Sequence, residues 1–154
     1  MVSAQATQTM PNREAILGAL ADVADPEIPA VSIVDLGMVE DVRVDDAIRI
    51  ELLPTFVGCP ALDAIQRAVE ERLAAFDRPV DVEFGHRVPW TTDRITPRGR
   101  ERLRASGFAP PDEATCPYCG SADVVLENLF GPTQCRSVCY CRACRQPFES
   151  FKPV

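Results

Sequence analysis

Val39-Glu40-Asp41-Val42-Arg43-Val44 and, two residues later, Ala47-Ile48-Arg49-Ile50-Glu51-Leu52-Leu53 decide the fold. The second segment puts Ile48, Ile50 and Leu52 on one face and Arg49 and Glu51 on the other, the period of a half-buried strand. The first alternates in part, and Asp45-Asp46 between them reads as a hairpin turn. Pro54 to Gly58 is a loop. Pro60 suits the first position of a helix, where a missing amide donor costs nothing. That helix is expected to run to about Phe76, with Leu62, Ile65, Val69, Leu73 and Phe76 as its buried stripe. Val80, Val82 and Phe84 supply a third strand. Helix, hairpin, helix and strand then make an α+β unit, a small mixed sheet with helices packed on one face.

Working outward, Asn12 is placed to cap a first helix through about Ala24, with Ile16, Leu17, Leu20 and Val23 at helical spacing. Asp25-Pro26-Glu27-Ile28-Pro29 ends it, because each proline lacks a donor and restricts the residue before it. Val31 to Val34 reads as a short extended piece and Asp35-Leu36-Gly37 as a turn. Residues 1–11 are polar and small and read as a disordered tail without a signal-peptide core. The α+β domain is expected over residues 12–88. Residues 89–113 are expected to be a linker with a short helix starting at Thr96-Pro97 and ending near Gly107, Ala109 to Asp112 being its clearest part. A small β module follows over residues 114–154.

Composition sets bounds. The 154 residues suffice for one ordinary domain or two small ones, and 46% hydrophobic residues supply a core. A net charge of −7 disfavours a general nucleic-acid binder, which needs a basic surface. No apolar run approaches membrane-spanning length. A cytoplasmic protein is expected.

Two C-x2-C knuckles, Cys116-Pro-Tyr-Cys119 and Cys141-Arg-Ala-Cys144, are separated by 21 residues. Each tight turn aims two sulfurs at one point, and two such turns complete a tetrahedron around zinc. A closed four-cysteine site leaves no position open for chemistry and serves to staple a module too small to hold together by its core alone. Cys135 and Cys139 add sulfurs beyond the four that zinc needs. Spacing leaves open an iron–sulfur cluster, a different choice of four ligands, or two small buried residues beside the metal.

Cys59 precedes the second predicted helix, where free amides and the helix dipole would favour a thiolate. It is a candidate metal ligand or nucleophile; a buried small residue at a strand-to-helix corner is the plain alternative. Asp25, Glu27 and Asp35 lie on loops at the same sheet end and would bind iron or tune the thiol if they face it. His86, the single histidine, reads as a surface residue and excludes a histidine-rich iron site on this chain. The run Arg94, Arg98, Arg100, Arg102, Arg104 divides between nearly opposite helix faces, which argues for a solvated helix rather than a phosphate-tracking stripe. No glycine-rich phosphate loop or nucleophile elbow is present, so no self-sufficient catalytic constellation is assembled.

Asp25-Pro26-Glu27-Ile28-Pro29, Asp35-Leu36-Gly37, and Pro54-Thr55 followed by Gly58-Cys59-Pro60 resemble the SufT-like iron–sulfur assembly domain family. The resemblance implies an α+β domain in which Cys59 handles iron or a cluster transiently, with Asp25, Glu27, Asp35 and Thr55 as supporting residues. Pro89-Trp90-Thr91-Thr92-Asp93, Gly107 to Pro111, Gly131 to Cys135 and the terminal Cys144-Arg145-Gln146-Pro147-Phe148 resemble the family of phenylacetate-degradation D proteins, which carry a zinc ribbon. That likeness implies an accessory, non-catalytic maturation role. Its partners would be oxygenase or reductase subunits of a phenylacetyl-CoA epoxidase (monooxygenase) system. A permanent structural subunit and a zinc-ribbon nucleic-acid adaptor are the competing readings.

Overall fold

The computed structural model describes residues 10–113 and 115–152. Most of the expected N-terminal tail, residues 1–9, lies outside the described residues. Asn12 caps helix α1 (Arg13–Leu20), its side chain accepting the Ala15 amide at 2.8 Å. Ile16, Ala19 and Leu20 are buried. The helix stops short of Ala24 because the next carbonyls are taken by another strand of chain. Ile33 donates to Val23 and Asp25 to Val31, and Ala24 bridges Ser32. The extended piece expected over Val31 to Val34 is limited to the bridge at Ser32, and residues 33–37 are turn, as expected for Asp35-Leu36-Gly37.

Strand β1 (Val39–Val44) pairs antiparallel with β2 (Ile48–Leu52), placing Val42 opposite Ile50, with a bulge between Val39 and Asp41. Ile48, Ile50 and Leu52 are all fully buried, as their alternation predicts. Helix α2 (Leu62–Leu73) buries Ile65, Val69 and Leu73 and carries the chain across to β3 (Val80–Phe84). β3 pairs parallel with β2, an arrangement that requires such a crossover. The order is β1-β2-β3, with α1 and α2 packed together against it.

The 89–113 span contains the expected helix, α3 (Pro97–Ala105), capped by the Thr96 side chain. The remainder is not a free tether. Trp90 is 5% exposed, donates from Nε1 to the Leu36 carbonyl at 2.7 Å, and meets the Phe151 ring at 5.7 Å. Ala109, Pro110 and Pro111 are buried. Phe108–Ala109 forms strand β4, which pairs parallel with β7 (Pro147–Phe151). β5 (Val124–Asn128) and β6 (Arg136–Cys141) complete a four-stranded sheet of order β4-β7-β6-β5. Cys135 and Phe151 at one end of this sheet join the main core, whereas Ala109, Cys116, Cys141 and Phe148 form a second small core at the other. The module and the α+β domain thus share packed side chains. Among the described residues, no helix is long and apolar enough to cross a membrane.

Candidate functional site

Cys116, Cys119, Cys141 and Cys144 bring all four sulfurs within 4.8 Å of one another. The pairs Cys116–Cys144 and Cys119–Cys141 stand 3.7 and 3.6 Å apart. Tetrahedral zinc with Zn–S bonds of ~2.3 Å needs sulfurs about 3.8 Å apart, so the donor set fits the ion. The two knuckles are built alike. Gly120 donates to the Cys116 carbonyl and Arg145 to the Cys141 carbonyl. Both donors have left-handed backbones, φ 73° and 61°, which turn the chain sharply after each pair. The Ser121 amide faces the Cys119 sulfur and the Gln146 amide the Cys144 sulfur, each two residues beyond its knuckle. The Cys144 and Ala143 amides hold the Cys141 pKa down at about 7. Such N–H donors favour a thiolate. Without a cation, however, burial pushes the Cys144 pKa up to about 12 and, against the Ser121 amide, raises that of Cys119, with the crowded neighbouring sulfurs adding to both, so four thiolates here call for a metal. A bound zinc here would be coordinatively closed and would hold strands together.

Neither extra cysteine belongs to this group. Cys139 lies on β6 opposite Phe148, half-buried against the small core. Cys135 precedes β6 and Cys141 ends it. Six residues of extended chain at ~3.3 Å each separate the two by about 20 Å.

Cys59 occupies the other end of the molecule and corrects the sequence expectation. Helix α2 begins at Leu62 with Ala61 as its cap, so Pro60 and Cys59 lie in the preceding turn rather than at the helix entrance. The thiol pKa is raised, not lowered. Half-burial is the main cause, the Glu27 and Asp25 carboxylates add to it, and a hydrogen bond from the Ala61 amide opposes it. Gly58, at φ 76°, makes the turn that leaves Cys59 partly open. The environment is that of a thiol beside two anions. It suits a cation better than an isolated nucleophile.

The acidic residues fall into two sets. Asp25 Oδ1 accepts the Glu27 and Ile28 amides at 2.9 and 2.8 Å, which folds the Asp25–Ile28 loop and turns Glu27 toward the ribbon. Burial pushes the Asp25 pKa up, its amide donors oppose this, and the neighbouring Glu27 adds to the rise. Asp35 faces elsewhere. Its carboxylate is 1% exposed and takes Arg98 Nε at 2.7 Å and Arg102 Nη1 at 3.3 Å. Burial alone would raise its pKa, but these guanidinium bonds, with Ser32, outweigh it and hold the group below the ordinary carboxylate range. Asp35 pins α3 to the domain and is committed to that role. Thr55 lines a separate depression with Phe56, His86 and Trp90. His86 is exposed, as expected.

The arginine run is also internally engaged. Arg94 bonds the Gly37 carbonyl and Glu40, Arg100 the Thr92 and Pro111 carbonyls, and Arg104 pairs with Glu113.

Arg136, unremarked in the sequence, is 8% exposed at the junction of domain and ribbon. It donates to the Glu27 carbonyl, pairs with Glu149 at 2.9 Å and lies 4.9 Å over the Phe108 ring. Nothing in its local sequence separates it from a surface arginine; only the packing of β6 against the Asp25–Ile28 loop does.

Comparison with known proteins agrees with this two-part build. A model of iron–sulfur cluster assembly proteins matches residues 13–84, and a model of the PaaD zinc β-ribbon domain matches residues 101–152. An Escherichia coli (strain K12) protein, provisionally named as a component of 1,2-phenylacetyl-CoA epoxidase, is 38% identical over 97% of this chain and 98% of its own. The chain belongs to the PaaD family. The Fe-S protein maturation auxiliary factor YitW of Bacillus subtilis (strain 168) is 39% identical over 54% of this chain and 85% of its own. The fold recurs in a domain of unknown function, DUF59, from Bacillus anthracis, with TM-score 0.55 and 28% identity over 58% of this chain and 89% of that one. It recurs again in the conserved hypothetical protein TM0487 of Thermotoga maritima, with TM-score 0.53 and 31% identity over 61% and 95%. This chain thus joins a region matching iron–sulfur assembly proteins to a region matching the PaaD zinc ribbon, and the α+β fold and the four-cysteine group stand on both sequence and geometry.

Proposed function

We propose that this protein is an accessory maturation factor of a phenylacetyl-CoA epoxidase (monooxygenase) system, acting in the cytoplasm. It receives iron, or an iron–sulfur unit, at Cys59 and passes it to an oxygenase or reductase subunit. The observation that carries this reading is the half-buried Cys59 thiol beside the Glu27 and Asp25 carboxylates. Soft sulfur with hard oxygen suits ferrous iron, and partial exposure suits a cargo that must leave. Residues 12–88 would be the cargo-handling unit and residues 114–154 the zinc-stapled unit that meets the client. The Escherichia coli relative's name supplies the client class and the Bacillus subtilis factor's name the maturation role.

A permanent structural subunit is the second reading. Leu126, Leu129 and Phe130, all more than half exposed on the ribbon, favour a lasting protein contact. A nucleic-acid adaptor finds little support beside a net charge of −7 and the internally paired α3 arginines.

The deciding experiment is a Cys59→Ser variant expressed with its epoxidase system. The expected outcome is a folded, zinc-containing protein with loss of in-cell epoxidase activity and lower iron in the purified client. Full activity and full iron loading would leave only the structural reading.

A further inference from the structure

Cys135 presents a sulfur that the four-cysteine site does not use. It is 8% exposed and packs in the main core, not in the small core around the four-cysteine site. Its Sγ lies 3.7 Å from Glu27 Oε2 and 3.2 Å from Thr133 Oγ1. A cleft of about 290 Å³ opens at this junction, lined by Glu27 and Pro60 from the assembly domain and by Phe130, Thr133 and Gln134 from the ribbon. The chain neighbours of both thiols, Pro60 after Cys59 and Gln134 before Cys135, therefore line one opening together with Glu27.

We propose that Cys59 and Cys135, together with Glu27, form a single cation site shared by the two halves of the molecule, with Cys135 as its second thiolate ligand for a ferrous-type divalent ion. This rests on the reading of Cys59 as the iron-handling thiol. The Cys135–Glu27 pair is already spaced for an ion, and Cys59 would close on it, since among the described residues the three donors do not all lie within 4.8 Å of one another. Sulfur and oxygen ligands at ~2.3 and ~2.1 Å on a tetrahedral ion stand about 3.6 Å apart, close to the separation seen between Cys135 and Glu27. On binding, both thiols release protons to solvent as their sulfurs bond the ion. Two thiolates with the Glu27 and nearby Asp25 carboxylates leave excess negative charge around a divalent ion. The buried Arg136 guanidinium, anchored on the Glu27 carbonyl, offsets part of it. Arg136 is here a positioning residue, fixing the loop that presents Glu27.

The assembly-family match ends at residue 84, so Cys135 is supplied by the ribbon half. The ribbon then does more than meet a partner. Its zinc-stapled end holds β6, and β6 holds Cys135 against the Asp25–Ile28 loop.

The test uses the full chain, zinc-loaded and anaerobic, titrated with Co²⁺ as the probe. Sulfur-to-cobalt charge transfer reports the number of thiolates, and zinc analysis confirms that the ribbon keeps its ion. The inference expects Cys135→Ser to lose about half of the charge-transfer intensity of the non-ribbon site and to weaken Co²⁺ binding by about tenfold or more. Cys59→Ser should do the same, and the double variant should lose the signal entirely. If Cys135→Ser matches the unaltered chain while Cys59→Ser abolishes binding, the two-thiol site is overturned and the maturation reading stands. If Cys59→Ser leaves cobalt binding unchanged, both fall. Because Cys135 is buried and its serine variant risks misfolding, a second measurement uses the unaltered zinc-loaded chain. A dithiol-bridging arsenical should give a Cys59–Cys135 cross-link in peptide mass spectra, and failure to bridge them overturns the proposal independently.

Discussion

At one end of β6, Cys141 closes a ring of four sulfurs; just before the other, Cys135 faces the Glu27 carboxylate beside a cleft that Pro60, the neighbour of Cys59, also lines. The first group is uniform, with two buried members and backbone amides directed at its sulfurs. Ions held that way exchange slowly and contribute to folding. The proposed second group mixes sulfur with oxygen, pairs the buried Cys135 with the partly open Cys59, and would draw its ligands from two halves of the chain. Among the described residues, only the ribbon sulfurs converge within 4.8 Å without an ion. The same residue type thus closes a ligand set at one end of a strand and, in the proposed function, serves transfer at the other, and the difference lies in what surrounds the sulfur.

The sharpest way to break this contrast is to remove the ribbon metal. Chelation of zinc, or Cys141→Ser, is expected to unfold the β5–β7 hairpins, because four thiols without a cation cannot hold so small a core. Hydrogen exchange should show loss of protection through β6 and lost cobalt affinity at the junction, since Cys135 rides on that strand. Full protection after zinc loss would mean that the ribbon is held by its packing on the domain through Trp90 and Phe151.

A smaller effect separates the committed carboxylate from the available ones. Asp35→Asn should cost about 2 kcal/mol by weakening bonds to Arg98 and Arg102, read by chemical denaturation. The folded pKa of Asp35 lies below its unfolded value of about 4. Its stabilisation is therefore present above that value and lost as pH falls through the lower folded pKa. The variant's deficit should be full at pH 7 and disappear in strong acid. Cobalt affinity at Cys59 should be unchanged, which would sharpen the assignment of Asp35 to α3.

The smallest stability effect is expected at Asp25. Asparagine keeps the Oδ1 acceptor for the Glu27 and Ile28 amides and removes a charge that burial disfavours. Asp25→Asn should therefore leave stability within about 1 kcal/mol at pH 7, on the stabilising side. A raised carboxyl pKa costs stability above the folded pKa, so the gain should fade as the pH falls below it. Metal affinity should drop even so. A destabilised variant with intact affinity would return Asp25 to a purely structural role.

Much of this was readable from local pattern. Ile48, Ile50 and Leu52 alternate because one face of β2 is buried, and the knuckle spacing is set by the geometry of a two-thiolate turn. Thr96-Pro97 marked α3 because capping is a local event. The start of α2 was missed by two residues, since Pro60 is equally compatible with a helix's first position and with the turn before it. The sign of the Cys59 shift was missed because burial, and the approach of Glu27 and Asp25 from a distant loop, leave no local signal. The buried Ala109-Pro110-Pro111 read as a tether because proline signals a break in regular structure and carries no information on burial.

The sequence by itself determined β1 to β3, the presence of the three helices and the two paired knuckles, all of which depend on residues close in the chain or on a repeated spacing; β4 and the exclusion of Cys135 and Cys139 from the ligand set came from the fold. Only the tertiary structure decided where the remaining acids and thiols belong. It gave Asp35 to Arg98 and Arg102, Cys135 to Glu27, and Arg136 to the junction, across separations of 63, 67, 108 and 109 residues. Charge and sulfur carry no label of their partner in one dimension, and which anion meets which cation is settled by the surfaces that hydrophobic packing brings together.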